Sequence, residues 1–379
     1  MLVLPGVTGF ADNFQKGLDA ANRGDFEAAF DKWKPLAIRG QALAQFNIGL
    51  MYDKGEGVKR DYKKAAKWYK LAAKQGIASA QFNLGLLYSK GKGVRQSFKR
   101  AVMWYVRAAK QGNVSAQFNL GLIYDIGEGV IPDYKRAIKW YRLAAGQNNS
   151  QAQFNLGHLY ESGERVTQDY KRAFKWYKFA ADAGNELARL KLGTLFEKGK
   201  GVLKNYKKAV KWYKLAAGQG NEIAQFNLGY IYSRGIGVKS NYIQAVKWYK
   251  LAAGQGNVIA QFNLGIFYSE GKGVRQSYSK AANWFRLAAK KGDAEAQFRL
   301  GLMYEEGDGV EKDPEKAVML YRYAADQGHA MAQGSLGWMY INGAGVQEDL
   351  EEAAKWYRRS EQTLKAKKNQ SQKPIPSLR

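Results

Sequence analysis

Apolar positions along this chain recur at two nested periods. Over short stretches they follow i, i+4, i+7, i+8 spacing, as at Ala116, Leu120, Ile123 and Tyr124, which puts them on one face of a helix. Over longer distances the whole pattern repeats every 36 residues. Gly recurs at Gly49, Gly85, Gly121, Gly157, Gly193, Gly229, Gly265, Gly301 and Gly337. Trp keeps the same step at Trp68, Trp104, Trp140, Trp176, Trp212, Trp248, Trp284 and Trp356, with Leu320 as the one substitute. Nine units follow without insertion or deletion: 41–76, 77–112, 113–148, 149–184, 185–220, 221–256, 257–292, 293–328 and 329–364.

Punctuation divides each unit into two helices. Gly112 closes one helix, and the column Asn113, Asn149, Asn185, Asn221, Asn257 and Asp293 supplies side chains that can cap the next. Helix A then runs to a Gly-x-Gly-Val loop such as Gly91-Lys92-Gly93-Val94. Helix B starts at a second column of good N-caps, from Asp61 and Ser97 through Asp313 and Asp349. It continues through Ala65, Trp68, Tyr69 and Ala72-Ala73 and ends at Gly76. Gly85 and Ala65 allow neighbouring helices to approach closely, while Trp68 and Tyr88 fill the wider gaps. One such pair cannot bury its apolar faces alone, whereas stacked pairs can. The expected fold is therefore an all-α solenoid.

The ends depart from the repeat. Asp25, Phe26 and Ala29 align with Asp61, Tyr62 and Ala65, so residues 12–40 read as a shorter capping unit without the Gly-x-Gly-Val insertion. Residues 1–11 are uncharged and mostly apolar. They read either as the back part of a secretory leader or as a frayed terminus. The first reading places the protein in the periplasm or outside the cell; the cytoplasm is the alternative. Residues 365–379 are polar and basic and are expected to form a disordered tail.

The columns Ala80, Leu84-Gly85, Tyr88, Gly91-x-Gly93-Val94, Ala101, Trp104, Ala108-Ala109 and Gly112 resemble the Sel1-like repeat signature, and nine units carry it. The shorter first unit resembles a tetratricopeptide repeat. The resemblance implies a right-handed αα-superhelix with a concave groove. It also implies a scaffold or adaptor role, and the uniform units are most similar to bacterial members.

Two helix A columns become candidates for the groove wall. Phe46, Phe82, Phe118, Phe154, Phe226, Phe262 and Phe298 form an aromatic ladder suited to an extended peptide; packing against a neighbouring helix is the alternative. Asn47, Asn83, Asn119, Asn155, Asn227 and Asn263 can hold a peptide backbone, or can satisfy a neighbouring loop, which is the favoured reading. The pattern breaks at Arg189-Leu190-Lys191, which reads either as two cations set for an acidic ligand or as simple drift of the repeat.

Charge adds a second candidate surface. The chain carries 60 Lys and Arg against 33 Asp and Glu, a formal net charge of +27. On helix B, Lys63, Lys64 and Lys67 lie close to one face, and the column at 64 continues as Arg100, Arg136, Arg172 and Lys208. Distribution is uneven: residues 77–112 hold seven basic and no acidic residues, residues 293–328 four basic and nine acidic. Such a surface suits a polyanion, meaning an envelope glycan or anionic lipid ahead of nucleic acid.

Chemistry has little to stand on. Cys is absent, and His158 and His329 lie in different units. Ser-x-x-Lys occurs at Ser89–Lys92, Ser269–Lys272 and Ser277–Lys280 without companion motifs. The sequence therefore favours a non-catalytic scaffold that binds a protein or peptide segment in its groove. No cofactor, metal or small-molecule substrate is implied.

Overall fold

Each repeat folds as its capping residues dictate. In helix A of the third repeat, Val114–Ile126, the Asn113 side chain accepts from the Ala116 N–H at 2.8 Å. Helix A then stops because Gly127 turns into the left-handed region at φ 80°. In helix B, Tyr134–Gly146, Asp133 accepts from the Arg136 N–H at 2.9 Å. The helix B cap recurs along the chain and the helix A cap recurs from Asn113 onward, Gln41 and Ile77 giving no side-chain cap before it; both helices are 13 residues long in repeat after repeat. Where the closing Gly is replaced, Asn148 takes the left-handed conformation itself at φ 62°.

The computed structural model describes residues 6–371, which contain twenty helices and no strand. Residues up to Ala188, with Lys200–Val202, form one compact unit; Arg189–Gly199 and the residues from Leu203 onward form a second. Each unit is a stack of helix pairs, the all-α solenoid class that the periodicity predicts.

The core is built on a close approach between helices A and B of one repeat. Gly121 has no side chain, and a Cβ there would lie 2.4 Å from the ring of Tyr141. Gly49 and Tyr69, Gly85 and Tyr105, and Gly157 and Tyr177 stand in the same relation. The residue that fills the centre is thus the Tyr of helix B, fully buried at Tyr69, Tyr141 and Tyr177, rather than the neighbouring Trp, half-buried at Trp68, Trp140 and Trp176. The periodic Trp is conspicuous in sequence, but it is buried only at Trp104 and Trp356 and packs at the margin of the pairs at Trp68, Trp140 and Trp176. Ala column residues such as Ala65, Ala101 and Ala137 are fully buried and keep the helices close.

Two devices tie successive repeats together. The second Gly of the loop, φ +68° at Gly93, rests on the start of the previous helix B, where a Cβ would meet the Tyr62 carbonyl carbon at 2.2 Å. The buried Gln column supplies the other. Gln81 Nε2 donates to the Ala73 carbonyl at 3.1 Å, capping the previous helix B, and its Oε1 accepts from Gln111 at 2.8 Å. Gln45, Gln117, Gln225 and Gln297 have the same pair of bonds.

The first helix pair is Gly6–Asn22 and Phe26–Ile38. A Cβ on Gly17 would meet the Trp33 indole at 2.4 Å, so the shorter unit repeats the Gly-on-aromatic contact with Trp in place of Tyr. Its first helix begins inside the segment read as a leader, of which residues 1–5 lie outside the described residues. The last helix, Leu350–Ser371, continues well into the stretch expected to be a tail. Lys365, paired with Glu361, lies on that helix, and residues 372–379 lie outside the described residues.

Candidate functional site

Each Phe of the first candidate column has a partner inside its own repeat. Phe82 packs its ring against Tyr105, Phe118 against Tyr141 and Phe154 against Tyr177, with centroids 5.7, 6.1 and 5.5 Å apart. Phe46, Phe226, Phe262 and Phe298 meet Tyr69, Tyr249, Phe285 and Tyr321 in the same way. These rings are half-buried, and Phe298 is buried. The ladder is a lining of the repeat core with one edge at the surface.

The Asn column is engaged as well. Asn155 donates to the Tyr141 hydroxyl of the preceding repeat at 3.1 Å, and Tyr141 donates to Asp125 at 3.2 Å. Asn83 and Asn227 lie beside the Tyr69 and Tyr213 hydroxyls and partly offset their upward shift. Asn119 and Asn263 turn elsewhere, donating to the Ser115 and Ile259 carbonyls at 2.9 and 2.8 Å. The buried hydroxyls meet carboxylates in most repeats: Tyr69 with Asp53, Tyr177 with Glu161, Tyr213 with Glu197 and Tyr321 with Glu305. Burial pushes these hydroxyls up out of the ordinary tyrosine range, and the adjoining carboxylates push further in the same direction.

The open apolar face of helix A lies at two other columns. One contains Leu43, Leu187, Ile223, Ile259 and Met331, each roughly half exposed, with Ile223 at 54%. The other, seven residues on, contains Leu50, Leu86, Leu122, Tyr230, Ile266 and Trp338, of which Tyr230 and Trp338 are exposed. The seven-residue offset puts both on one helix face with the Asn column between them. Two hollows open along this face, of about 230 and 270 Å³. Leu86, Ser89, Tyr105, Asn119 and Leu122 line the first; Tyr230, Ser233, Tyr249, Asn263 and Ile266 line the second. The residues of the second are those of the first shifted by four repeats. The sequence pointed to Phe because it is large and periodic. Exposure belongs to its less regular neighbours, and sequence carries only a weak signal for it.

The break at residues 189–191 is not two loose cations. Arg189 stands in the buried Gln column and donates to Gln219 Oε1 at 2.7 Å, so it replaces the Gln–Gln bond of other repeats. Lys191, in the Asn column, is half-buried.

The basic column of helix B is exposed, as are Lys63 and Lys67, but its side chains lie over aromatic rings of the fold. Lys64, Arg100, Arg136, Arg172 and Lys208 sit over the rings of Tyr52, Tyr88, Tyr124, Tyr160 and Phe196, 5.2 to 5.5 Å from the centroids. Arg136 and Arg172 also pair with their capping Asp133 and Asp169, each at 3.2 Å.

The Ser-x-x-Lys residues have structural duties. Ser89 and Ser269 lie in helix A, not in loops, and donate to the Leu86 and Ile266 carbonyls at 3.0 and 2.9 Å. Ser277 caps helix B by accepting from the Lys280 N–H. His329 is likewise a cap: its Nδ1 accepts from the Ala332 N–H at 3.1 Å, while Nε2 lies 2.9 Å from Glu295. No cluster of metal-ligating side chains occurs among the described residues.

The family model described as Sel1 repeat matches nine segments: 42–77, 78–113, 114–149, 150–185, 187–221, 223–257, 258–293, 294–329 and 330–361. Among solved structures, c5321, a protective antigen present in uropathogenic Escherichia coli strains and displaying an SLR fold, is 33% identical. That match covers 95% of this chain and 88% of the antigen, with a TM-score of 0.68. A Sel1 repeat protein from Oxalobacter formigenes is 32% identical over 82% of this chain and 90% of its own, with a TM-score of 0.66. Among curated proteins none matches.

Proposed function

The chain belongs to the Sel1-repeat family, and from that premise we propose that it is a non-catalytic scaffold that holds an extended partner segment along the helix A face of its repeats. Sel1-repeat proteins serve in general as protein-interaction scaffolds, typically without catalysis. The observation that carries the finer reading is the run of exposed apolar side chains at Ile223, Tyr230 and Ile259, beside a hollow lined by Asn263 and Tyr249. Apolar residues of this size on one face, next to polar groups that can orient a backbone, make a surface for a peptide with alternating side chains. The partner is a protein segment rather than a small molecule.

The test is capture of partners by the full chain and by an Ile223→Ser/Tyr230→Ser/Ile259→Ser variant. These positions are exposed, so the fold tolerates the change. Loss of the captured protein supports the reading, and full retention by the variant refutes it.

A second reading keeps the helix B surface. Lys63, Lys67, Lys70 and Lys74 are exposed along one helix beside the exposed Leu71. Such a face would bind an anionic envelope surface with steep salt dependence. We also keep the proposal of export from the apolar residues 1–11, which N-terminal sequencing of protein from fractionated cells would check.

A further inference from the structure

The helix A position that faces the buried tyrosine hydroxyl takes two kinds of residue. Asp53, Asp125, Glu161, Glu197 and Glu305 place a carboxylate there, and each accepts from the tyrosine of its own repeat. Ser89 and Ser233 are too short for that job. Ser89 Oγ is 3.4 Å from the Tyr105 hydroxyl, and its own proton goes to the Leu86 carbonyl at 3.0 Å. Ser233 gives its proton to the Tyr230 carbonyl at 2.8 Å.

The following repeat differs at the same two places. Asn155 bonds the tyrosine of a carboxylate repeat, whereas Asn119 and Asn263 bond their own helix backbone. Tyr105 and Tyr249 have thus lost an anionic acceptor on one side and an amide on the other. These are the two repeats at which the hollows open, each within one compact unit. Cations line both hollows: Lys90 the first, Arg234 and Lys272 the second.

We propose that the two hollows are sockets for acidic side chains of the partner segment, so that an Asp or Glu of the ligand takes the place that Asp53 and Glu161 fill in their own repeats. The identification of the ligand as a peptide rests on the scaffold reading above. The Tyr105 or Tyr249 hydroxyl donates to the incoming carboxylate, and Lys90 or Arg234 supplies the opposite charge. Leu86 and Leu122, or Tyr230 and Ile266, line the same hollows and take the methylene groups. Glu128 also lines the first hollow and opposes an anion there. Glu270 lines the second but is paired with Lys272 at 2.6 Å, so the second socket is the stronger. The third serine of the column, Ser269, faces Phe285, which has no hydroxyl to offer, and no socket is assigned to that repeat.

The test is an NMR titration of the full chain, carrying ring-labelled tyrosine, with acetyl-Leu-Glu-Leu-amide. Controls are acetyl-Leu-Gln-Leu-amide and free glutarate at constant ionic strength. The expected result is a saturable shift at Tyr105 and Tyr249, assigned through Tyr105→Phe and Tyr249→Phe, with no matching response at Tyr69 or Tyr177. A Ser89→Asp/Ser233→Asp variant fills each seat with a carboxylate of the chain's own. It should bind the Glu peptide at least about tenfold more weakly, the loss expected for a charge-assisted hydrogen bond. Equal binding of the Glu and Gln peptides overturns the proposal, as does undiminished binding by the double Asp variant. Tighter binding of glutarate than of the peptide overturns the peptide source. Loss of binding in Lys63→Glu/Lys67→Glu, with none in the double Asp variant, places the anion on helix B and overturns it too. Failure here while Ile223, Tyr230 and Ile259 still govern partner capture leaves the scaffold reading standing. Peptide binding in the sockets with partner capture unaffected by those three residues has the opposite consequence.

Discussion

The Asn155 side-chain amide donates to the Tyr141 hydroxyl at 3.1 Å across a repeat boundary, while Tyr141 itself donates to Asp125 within its own repeat. The hydroxyl therefore joins three helices belonging to two repeats. Tyr141→Phe should remove both bonds and leave a partly buried carboxylate with one fewer donor, at a cost of about 1.5–3 kcal/mol. Tyr105→Phe removes only a long contact to Ser89 and should cost less than about 1 kcal/mol. Urea unfolding of the two variants side by side checks the ordering, and equal losses would show that the carboxylate and amide add nothing.

Glycine substitution should divide by position. A Cβ on Gly121 would lie 2.4 Å from the Tyr141 ring, whereas Gly146, at the end of a helix, has nothing within 4 Å and no positive φ. Gly121→Ala should destabilise by about 1–3 kcal/mol through overpacking of a rigid core ring. Gly146→Ala should stabilise by about 0.5–1 kcal/mol, because alanine loses less backbone freedom in a helix. Thermal unfolding would show midpoints moving in opposite directions.

The Gln ladder lacks a rung at Gln153 and at Gln261, where Lys291 donates to the Gly256 carbonyl instead. Gln153 Oε1 is buried without a hydrogen-bond partner, because Ala183 stands where Gln75, Gln111 and Gln147 donate to the preceding Gln45, Gln81 and Gln117. Ala183→Gln should restore the donor and stabilise the chain by about 1 kcal/mol. A shift in urea midpoint with unchanged slope is the expected readout; no shift would show that the orphan oxygen is already satisfied.

Alkaline pH should unfold the protein. Burial, reinforced by neighbouring carboxylates, holds the hydroxyls of Tyr69, Tyr141, Tyr177, Tyr213 and Tyr321 above their ordinary value. The folded state therefore keeps protons that the unfolded state releases near pH ~10. Their contribution is fully present below that pH and is lost as pH rises beyond it. Tyrosinate absorbance and helical circular dichroism should change together. Tyrosinate appearing well before helix loss would contradict the account.

Caps, loops and the 36-residue step were legible because they are local: an Asp before a helix or a Gly after it has one job. Nine repeats in register made the solenoid class readable as well. Exposure was not legible in the same way. Phe82 reads in sequence either as a ligand contact or as packing, and its ring packs on Tyr105, while the open positions are the variable ones at Ile223, Tyr230 and Ile259. Regular columns mark what stacking needs; variable columns mark what faces outward. Arg189 was misleading for a related reason. It looks like a free cation, but it stands half-buried in the Gln column, and its guanidinium donates to Gln219, reversing the direction of the Gln–Gln bond of the other repeats. The difference between Ser89 and Asp53 could be read only once the Tyr hydroxyl that both face was in view.

The central claim is that partners lie along the helix A face. Site-specific photocrosslinking measures it most directly, with benzoylphenylalanine placed singly at Leu86, Tyr230, Lys63 or Lys67 of the full chain. All four positions reach the surface in this structure. The account predicts partner adducts from positions 86 and 230 and none from 63 or 67. Adducts from 63 and 67 alone would contradict it and move the binding surface to helix B.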